Sequence, residues 1–147
     1  MDRVQLPRRG GAAAGAGVAA NRIFCIGRNY ADHVREMGGD PKAQPPVFFT
    51  KPADAVAPDG AVIAYAQATN NLHFEGELVV ALKAGGKELD AGAARNAIYG
   101  YAAGCDLTRR DHQVRAKDGG APWDTAKGFD NSAPVGENVP AAACELE

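Results

Sequence analysis

The stretch LHFEGELVVAL, Leu72 to Leu82, decides how the rest of the chain is read. Its apolar residues and the β-branched pair Val79-Val80 predict a strand, ended by a Gly85-Gly86 turn. Side chains on a strand alternate between faces, so Glu75 and Glu77 share one face and their oxygens can converge; on a helix they would diverge. Two like charges held side by side repel, and a bound cation removes that repulsion most simply. On spacing alone, an acidic edge that discourages strand pairing is the commoner explanation.

The next strand supplies a third carboxylate. Ala91 to Ala97 contains good helix formers, and Ile98 to Cys105 returns to a small, apolar, aromatic strand that delivers Asp106 at its end. Three carboxylates with no His or Cys among them suit a hard divalent ion, Mg²⁺ or Mn²⁺, with Ca²⁺ as a third candidate and water or substrate completing the shell. Taken alone, Asp106 is equally well explained as the N-cap of a helix from Thr108 to Lys117, Thr108 being the other candidate cap and Gly119-Gly120 the stop. Pro122-Trp123 then opens a predicted loop that reaches Lys127, Phe129 and Asp130.

Toward the N-terminus, Arg22 to Ile26 reads as a strand broken by Gly27, and Tyr30 to Met37 as a short helix closed by Gly38-Gly39. His33 and Glu36 fall on one face of that helix, where a carboxylate that orients an imidazole makes a general base for water. With Asp32 and Arg35 beside them, a solvated surface pair is the default for the sequence in isolation. Val47 to Thr50 is a brief strand stopped at Pro52, and Asp59-Gly60 predicts a hairpin turn between Val56 and Val62-Ile63. Lys51 and Lys127 each sit in a tight local setting from which a long cation can enter a cleft, although exposed lysines are far commoner. Arg109, Arg110 and Gln113 can bind a substrate carboxylate or form a solvated charged face.

Composition narrows the classes. The chain has 147 residues, enough for one domain, and its 46% hydrophobic and 23% charged content indicates neither a disordered polymer nor a membrane protein. A net charge of -2 argues against a surface that neutralises many nucleic-acid phosphates, which leaves small molecules as the expected partners. No run approaches the roughly 20 apolar residues that span a bilayer. Cys25, Cys105 and Cys144 are odd in number and lack C-x-x-C spacing, which fits a reducing cytoplasm rather than a disulfide framework or a zinc site. Residues 1–20, rich in Gly and Ala, read as a flexible tail or linker.

In order and wording, the segments from Arg22 to Gly136 resemble the fumarylacetoacetate hydrolase superfamily. IFCIGRNYADHVREM at Ile23 to Met37 resembles its opening strand and water-activating helix, and FFTKPADA at Phe48 to Ala55 its next signature. Leu72 to Leu82 is similar to its paired-glutamate metal strand, and GYAAGCDLTRRDHQ at Gly100 to Gln113 and PWDTAKGFDNSAPVG at Pro122 to Gly136 to the two blocks that follow. The resemblance implies an α+β fold, a β-rich roll or sandwich. Residues 21–147 would form the N-terminal part of the catalytic domain, incomplete at the C-terminus because Val139 to Ala143 is reached before the family's later strands and its Gly/Thr/Pro-rich substrate loop.

The same resemblance implies that Glu75, Glu77 and Asp106 hold the divalent metal, that His33 and Glu36 activate water, and that Lys127 assists at the substrate oxygens. Lys51, Arg110 and Gln113 become secondary substrate contacts, and the assembly a homodimer. The implied reaction is hydrolysis of a carbon–carbon bond in an acylpyruvate-type diketo acid. TKPADA, DLTRRD and PWDTAKGFD are most similar to the fumarylpyruvate hydrolases of gentisate breakdown, which yield fumarate and pyruvate. Rival readings are decarboxylation of oxaloacetate, isomerisation or hydration of a related keto acid, and an inactive truncated metal-binding remnant.

Overall fold

The computed structural model of the chain describes residues 4–6, 18–27, 29–30, 35, 38, 40 and 45–144. A five-stranded mixed sheet is organised around β8, Ile98–Cys105. One edge of β8 pairs antiparallel with β7, Gly76–Leu82, and the other meets β11, Val139–Pro140, and then β10, Ala133–Val135. β10 in turn pairs in parallel with β5, Val56–Pro58. The small residues of β8 make this crowding possible: a Cβ on Gly100 would lie 2.2 Å from the Val139 carbonyl oxygen, so only glycine admits β11 at that distance.

The predicted strand from Leu72 to Leu82 is divided. β6 covers only Leu72–His73 and pairs with β9, Thr108–Arg109, whereas β7 begins at Gly76 opposite Cys105. The register is the same on both sides of the gap, which sets Glu75 opposite Asp106, and the Asp106 amide donates to the Glu75 carbonyl at 2.8 Å. Ladder pairing therefore parts around these two carboxylates and resumes beyond them.

That pairing also corrects the helix predicted from Thr108. Thr108 and Arg109 are claimed by β6, so the helix, α2, runs from Arg110 to Gly119 and neither Asp106 nor Thr108 caps it. It ends where Gly120 turns left-handed at φ 63°. α1, Ala91–Asn96, forms as expected and is capped by the Asp90 carboxylate, which accepts from the Ala93 amide. The loop expected after Trp123 contains a single helical turn, α3, Asp124–Lys127.

β3, Ile23–Gly27, and β4, Val47–Lys51, form a separate antiparallel pair in which Ile23 faces Lys51. Val4–Leu6 and Val18–Ala20, β1 and β2, pair antiparallel within the stretch read as a flexible tail. The hairpin expected at Asp59-Gly60 does not form: Gly60 turns at φ 75°, but Val62 is fully exposed and β5 takes β10 as its partner instead. The helix expected from Tyr30 to Met37 falls largely outside the described residues.

Most of the buried apolar side chains are alanines, Ala55, Ala57, Ala81, Ala97, Ala102, Ala116, Ala126 and Ala133, with Val135. The largest fully buried side chains are instead Lys127, Asn138, Thr108 and Ser132, so the interior closes on polar groups. Phe24 and Phe48 are 63% exposed on the β3–β4 pair, and Leu78, Val80 and Leu82 face outward along β7. Among the described residues no helix is long and apolar enough to cross a membrane.

Candidate functional site

The gap between β6–β9 and β7–β8 is where the charges gather. Glu75 lies in it, Asp106 stands opposite, and Glu77 follows on the same side of the strand, Glu75 and Glu77 being half-buried with exposed Gly76 between them. α3 brings Lys127 in from the other direction. The Trp123 and Phe49 rings meet beside it with centroids 5.6 Å apart and planes tilted by 52°, and its ammonium lies 5.0 Å over the Phe49 ring. Its Nζ donates to Glu75 Oε2 at 2.6 Å, Asp106 Oδ2 at 2.6 Å and Thr108 Oγ1 at 2.7 Å, which uses all three ammonium protons. Lys51, at the end of β4, pairs with the other oxygen of Asp106 at 2.8 Å. Both lysines are buried, at 2% and 3% exposure, against the usual exposure of lysine side chains.

Arg110 completes the cluster. Its guanidinium donates to Glu75 Oε1, to Gln113 Oε1 and, at 3.4 Å, to His73 Nδ1. Burial pulls the Glu75 carboxyl upward, but hydrogen bonds from Lys127 and Arg110 outweigh it and bring the group down to about 2. Glu77 goes the other way: burial raises it, a hydrogen bond from Tyr30 opposes, and the neighbouring charges of Asp106 and Glu75 add to the rise. Lys51 is lowered by burial, with the Asp106 charge opposing.

Of the ten residues that carried a predicted role, the fold gathers Glu75, Glu77, Asp106, Lys127, Lys51, Arg110 and Gln113 around one gap, while Arg109 donates to the Thr125 carbonyl at 3.2 Å and lies over the Phe129 ring. His33 and Glu36 lie outside the described residues. Sequence reasoning missed Thr108 as a partner of Lys127, Ser132 as a donor to the Lys127 carbonyl at 2.9 Å, and Tyr30, whose hydroxyl accepts from the Leu78 amide at 3.3 Å. As a residue in isolation Thr108 reads as a helix cap. The signal for a different role was its place two residues after Asp106 in a strand-compatible pair.

Among the described residues, no three His, Cys, Asp or Glu side chains converge to enclose a metal ion, because the Lys127 ammonium stands between Glu75 and Asp106. The donor chemistry nevertheless fits a hard divalent cation: three carboxylates on neighbouring strand positions. Asp106 Oδ1 is also buried without an aligned hydrogen bond, Lys51 Nζ reaching it as an ion pair only. An oxygen in that state is available to a cation.

The family model described as the C-terminal region of fumarylacetoacetate hydrolase matches residues 22–146. The mitochondrial oxaloacetate tautomerase FAHD1 of Mus musculus is 44% identical over 118 residues, covering 80% of this chain and 53% of that protein. The oxaloacetate tautomerase YcgM of Escherichia coli is 38% identical over 122 residues, covering 83% of this chain and 55% of that protein. Among solved structures, a fumarylpyruvate hydrolase from Pseudomonas aeruginosa in complex with Mn²⁺ and pyruvate superposes with a TM-score of 0.87 at 45% identity, over 95% of this chain and 60% of that one. The chain thus spans about half the length of the curated relatives it matches. The mixed sheets and few helices are those of the same fold.

Proposed function

The chain belongs to the fumarylacetoacetate hydrolase family, and from that premise we propose that residues 21–147 carry the metal-binding and charge-stabilising part of an enzyme that cleaves a carbon–carbon bond in an acylpyruvate-type diketo acid, fumarylpyruvate being the first candidate. The observation that carries this reading is the buried Lys127 ammonium, held at 2.6 Å from both Glu75 and Asp106. The likeness to a fumarylpyruvate hydrolase that binds Mn²⁺ and pyruvate supports the substrate.

Glu75, Glu77 and Asp106 would hold a divalent cation, Mg²⁺ or Mn²⁺, which when bound supplies a Lewis acid for the 2-keto acid end of the substrate. Lys127 offers its positive charge to the oxygen where negative charge develops as the bond breaks; two of the oxygens that now take its protons belong to Glu75 and Asp106, which would turn to the cation. Arg110 and Gln113, already joined to each other, orient Glu75 and leave the guanidinium beside the substrate carboxylate. His33, oriented by Glu36, would take a proton from water at an imidazole nitrogen. The water oxygen ends on the acyl carbon, giving fumarate, and a proton ends on the carbon that becomes the pyruvate methyl.

A second reading, keto–enol tautomerisation of oxaloacetate, is favoured by the names of the curated relatives. It uses the same cation and Lys127 but needs no attacking water. Purified protein with Mn²⁺ or Mg²⁺, assayed against fumarylpyruvate and against the enol of oxaloacetate, decides between them. Release of fumarate and pyruvate is the expected result, and activity confined to oxaloacetate transfers the assignment to the second reading. The assembly in which this chemistry is proposed is a homodimer, testable by light scattering of the eluted protein.

A further inference from the structure

Lys51 is held by backbone carbonyls, whereas Lys127 is held by side-chain oxygens, two of them on residues that would hold the cation. Only 3% of Lys51 is exposed, at the end of β4, and its ammonium donates to the Leu107 carbonyl at 3.2 Å and to the Lys127 carbonyl while pairing with Asp106 Oδ1 at 2.8 Å. Two of its protons go to backbone carbonyls, and its charge faces Asp106 Oδ1 as an ion pair. The Phe129 ring lies 5.8 Å from the same nitrogen and covers it further. All three oxygens belong to groups that build the site: Leu107 follows Asp106 directly, and the Lys127 carbonyl closes the one-turn helix α3. Ser132 is the second donor to that carbonyl, at 2.9 Å, and the Ser132 carbonyl accepts from the Leu107 amide at 3.0 Å. Lys51 is therefore the tie between three separate pieces of chain, β4, the turn after β8, and the C-terminal end of α3.

We infer that Lys51 is a positioning residue: it fixes the backbone of Lys127 and one oxygen of Asp106, and does not itself contact substrate. The inference rests on the proposed function only for its kinetic consequence; its structural content stands without turnover. Lys51 and Lys127 thus divide one task, Lys51 holding the frame and Lys127 presenting its charge within it.

Lysine acetylation of the full chain with an N-hydroxysuccinimide ester, mapped by peptide mass spectrometry, tests this. In wild-type protein Lys51 is expected to stay protected whether or not Mn²⁺ and pyruvate are added, while exposed Lys83 is labelled throughout. Labelling of Lys51 in the free protein that pyruvate suppresses would overturn the inference, and this arm needs no variant. In Lys51→Met, Lys127 labelling is expected to rise on the order of tenfold, the lower end of what losing hydrogen bonds to a charged group costs. Lys51→Arg, which keeps a cation able to reach the carbonyls, is expected to restore most of the protection. Unchanged Lys127 labelling in a Lys51→Met protein that melts cooperatively also overturns it. Where the enzyme turns over fumarylpyruvate, Lys51→Met is expected to lower kcat and leave KM within about twofold, whereas a lost substrate contact raises KM. A protein that turns over no diketo acid but unmasks Lys127 in Lys51→Met retains the positioning role and loses only the proposed reaction.

Discussion

Glu75 is held by two cations at once, Lys127 on one oxygen and Arg110 on the other, and its ionisation follows from that. Its carboxyl, ordinarily at 4.5, falls to about 2 in the folded metal-free protein. A carboxyl lowered on folding adds stability that is complete above its unfolded value and is lost as pH falls through its folded value. Metal-free protein is therefore expected to lose stability progressively from pH 4.5 down to about 2, and Glu75→Gln to flatten that limb. Urea midpoints measured across the range check this, and an identical slope in the variant counts against it. Lys127→Met has a different consequence. It leaves Glu75 and Asp106 facing each other without the cation between them, and breaking a buried pair from one side costs about 3–5 kcal/mol. Chemical denaturation reads that loss, and under the proposed function turnover is expected to fall at least about a hundredfold, because the charge proposed to meet the developing oxyanion is gone. Glu77 and Asp106 were legible as candidates from spacing and strand ends. The burial of Lys51 and Lys127 was not, because nothing local distinguishes a buried lysine from the common exposed one.

At the scale of elements, two contacts hold the site's frame. β11 lies against β8 so closely that a Cβ at Gly100 would sit 2.2 Å from the Val139 carbonyl oxygen and 2.6 Å from Asn138 Oδ1. Gly100→Ala is expected to part β11 from β8 and cost about 1–3 kcal/mol, with faster hydrogen exchange at Tyr101 and Val139 as its local mark. The loop before β6 is strapped to the first turn of α2: Arg110 N donates to the Asn71 carbonyl at 2.8 Å, Thr69 Oγ1 to Asp111 Oδ1 at 2.6 Å, and His112 Nε2 lies 2.6 Å from the Ala68 carbonyl oxygen. Thr69→Val removes one of these and is expected to cost about 1 kcal/mol. Thermal melts of Thr69→Val and Thr69→Ser separate the hydroxyl from the β-branch. β8 and α1 were readable in sequence because their period, caps and flanking residues are local. The split of Leu72 to Leu82 was not, since it depends on β9 offering a partner to Leu72 and His73 while β8 offers one to Gly76 onward.

For the whole molecule, the carboxylates tie strands that otherwise pair on either side of a gap, so a cation that bridges them should stabilise the fold as one unit. Mn²⁺ at a hundredfold excess over its dissociation constant is expected to add about 2.7 kcal/mol, seen as a raised melting temperature that EDTA reverses. Glu77→Gln is expected to remove most of that shift, and a melting temperature indifferent to Mn²⁺ would count against a shared site. The sequence by itself determined β3, β4, β7 and β8, the α1 helix, the family, and the common face of Glu75 and Glu77, because period-two alternation and motif wording are local properties. Only the tertiary structure decided that Glu75 stands opposite Asp106, that Arg110 reaches across 35 positions to Glu75, and that Lys51 reaches across 76 to the Lys127 carbonyl. Register and burial arise when distant segments compete for the same hydrogen-bonding partners, and the outcome of that competition is not written in any one of them.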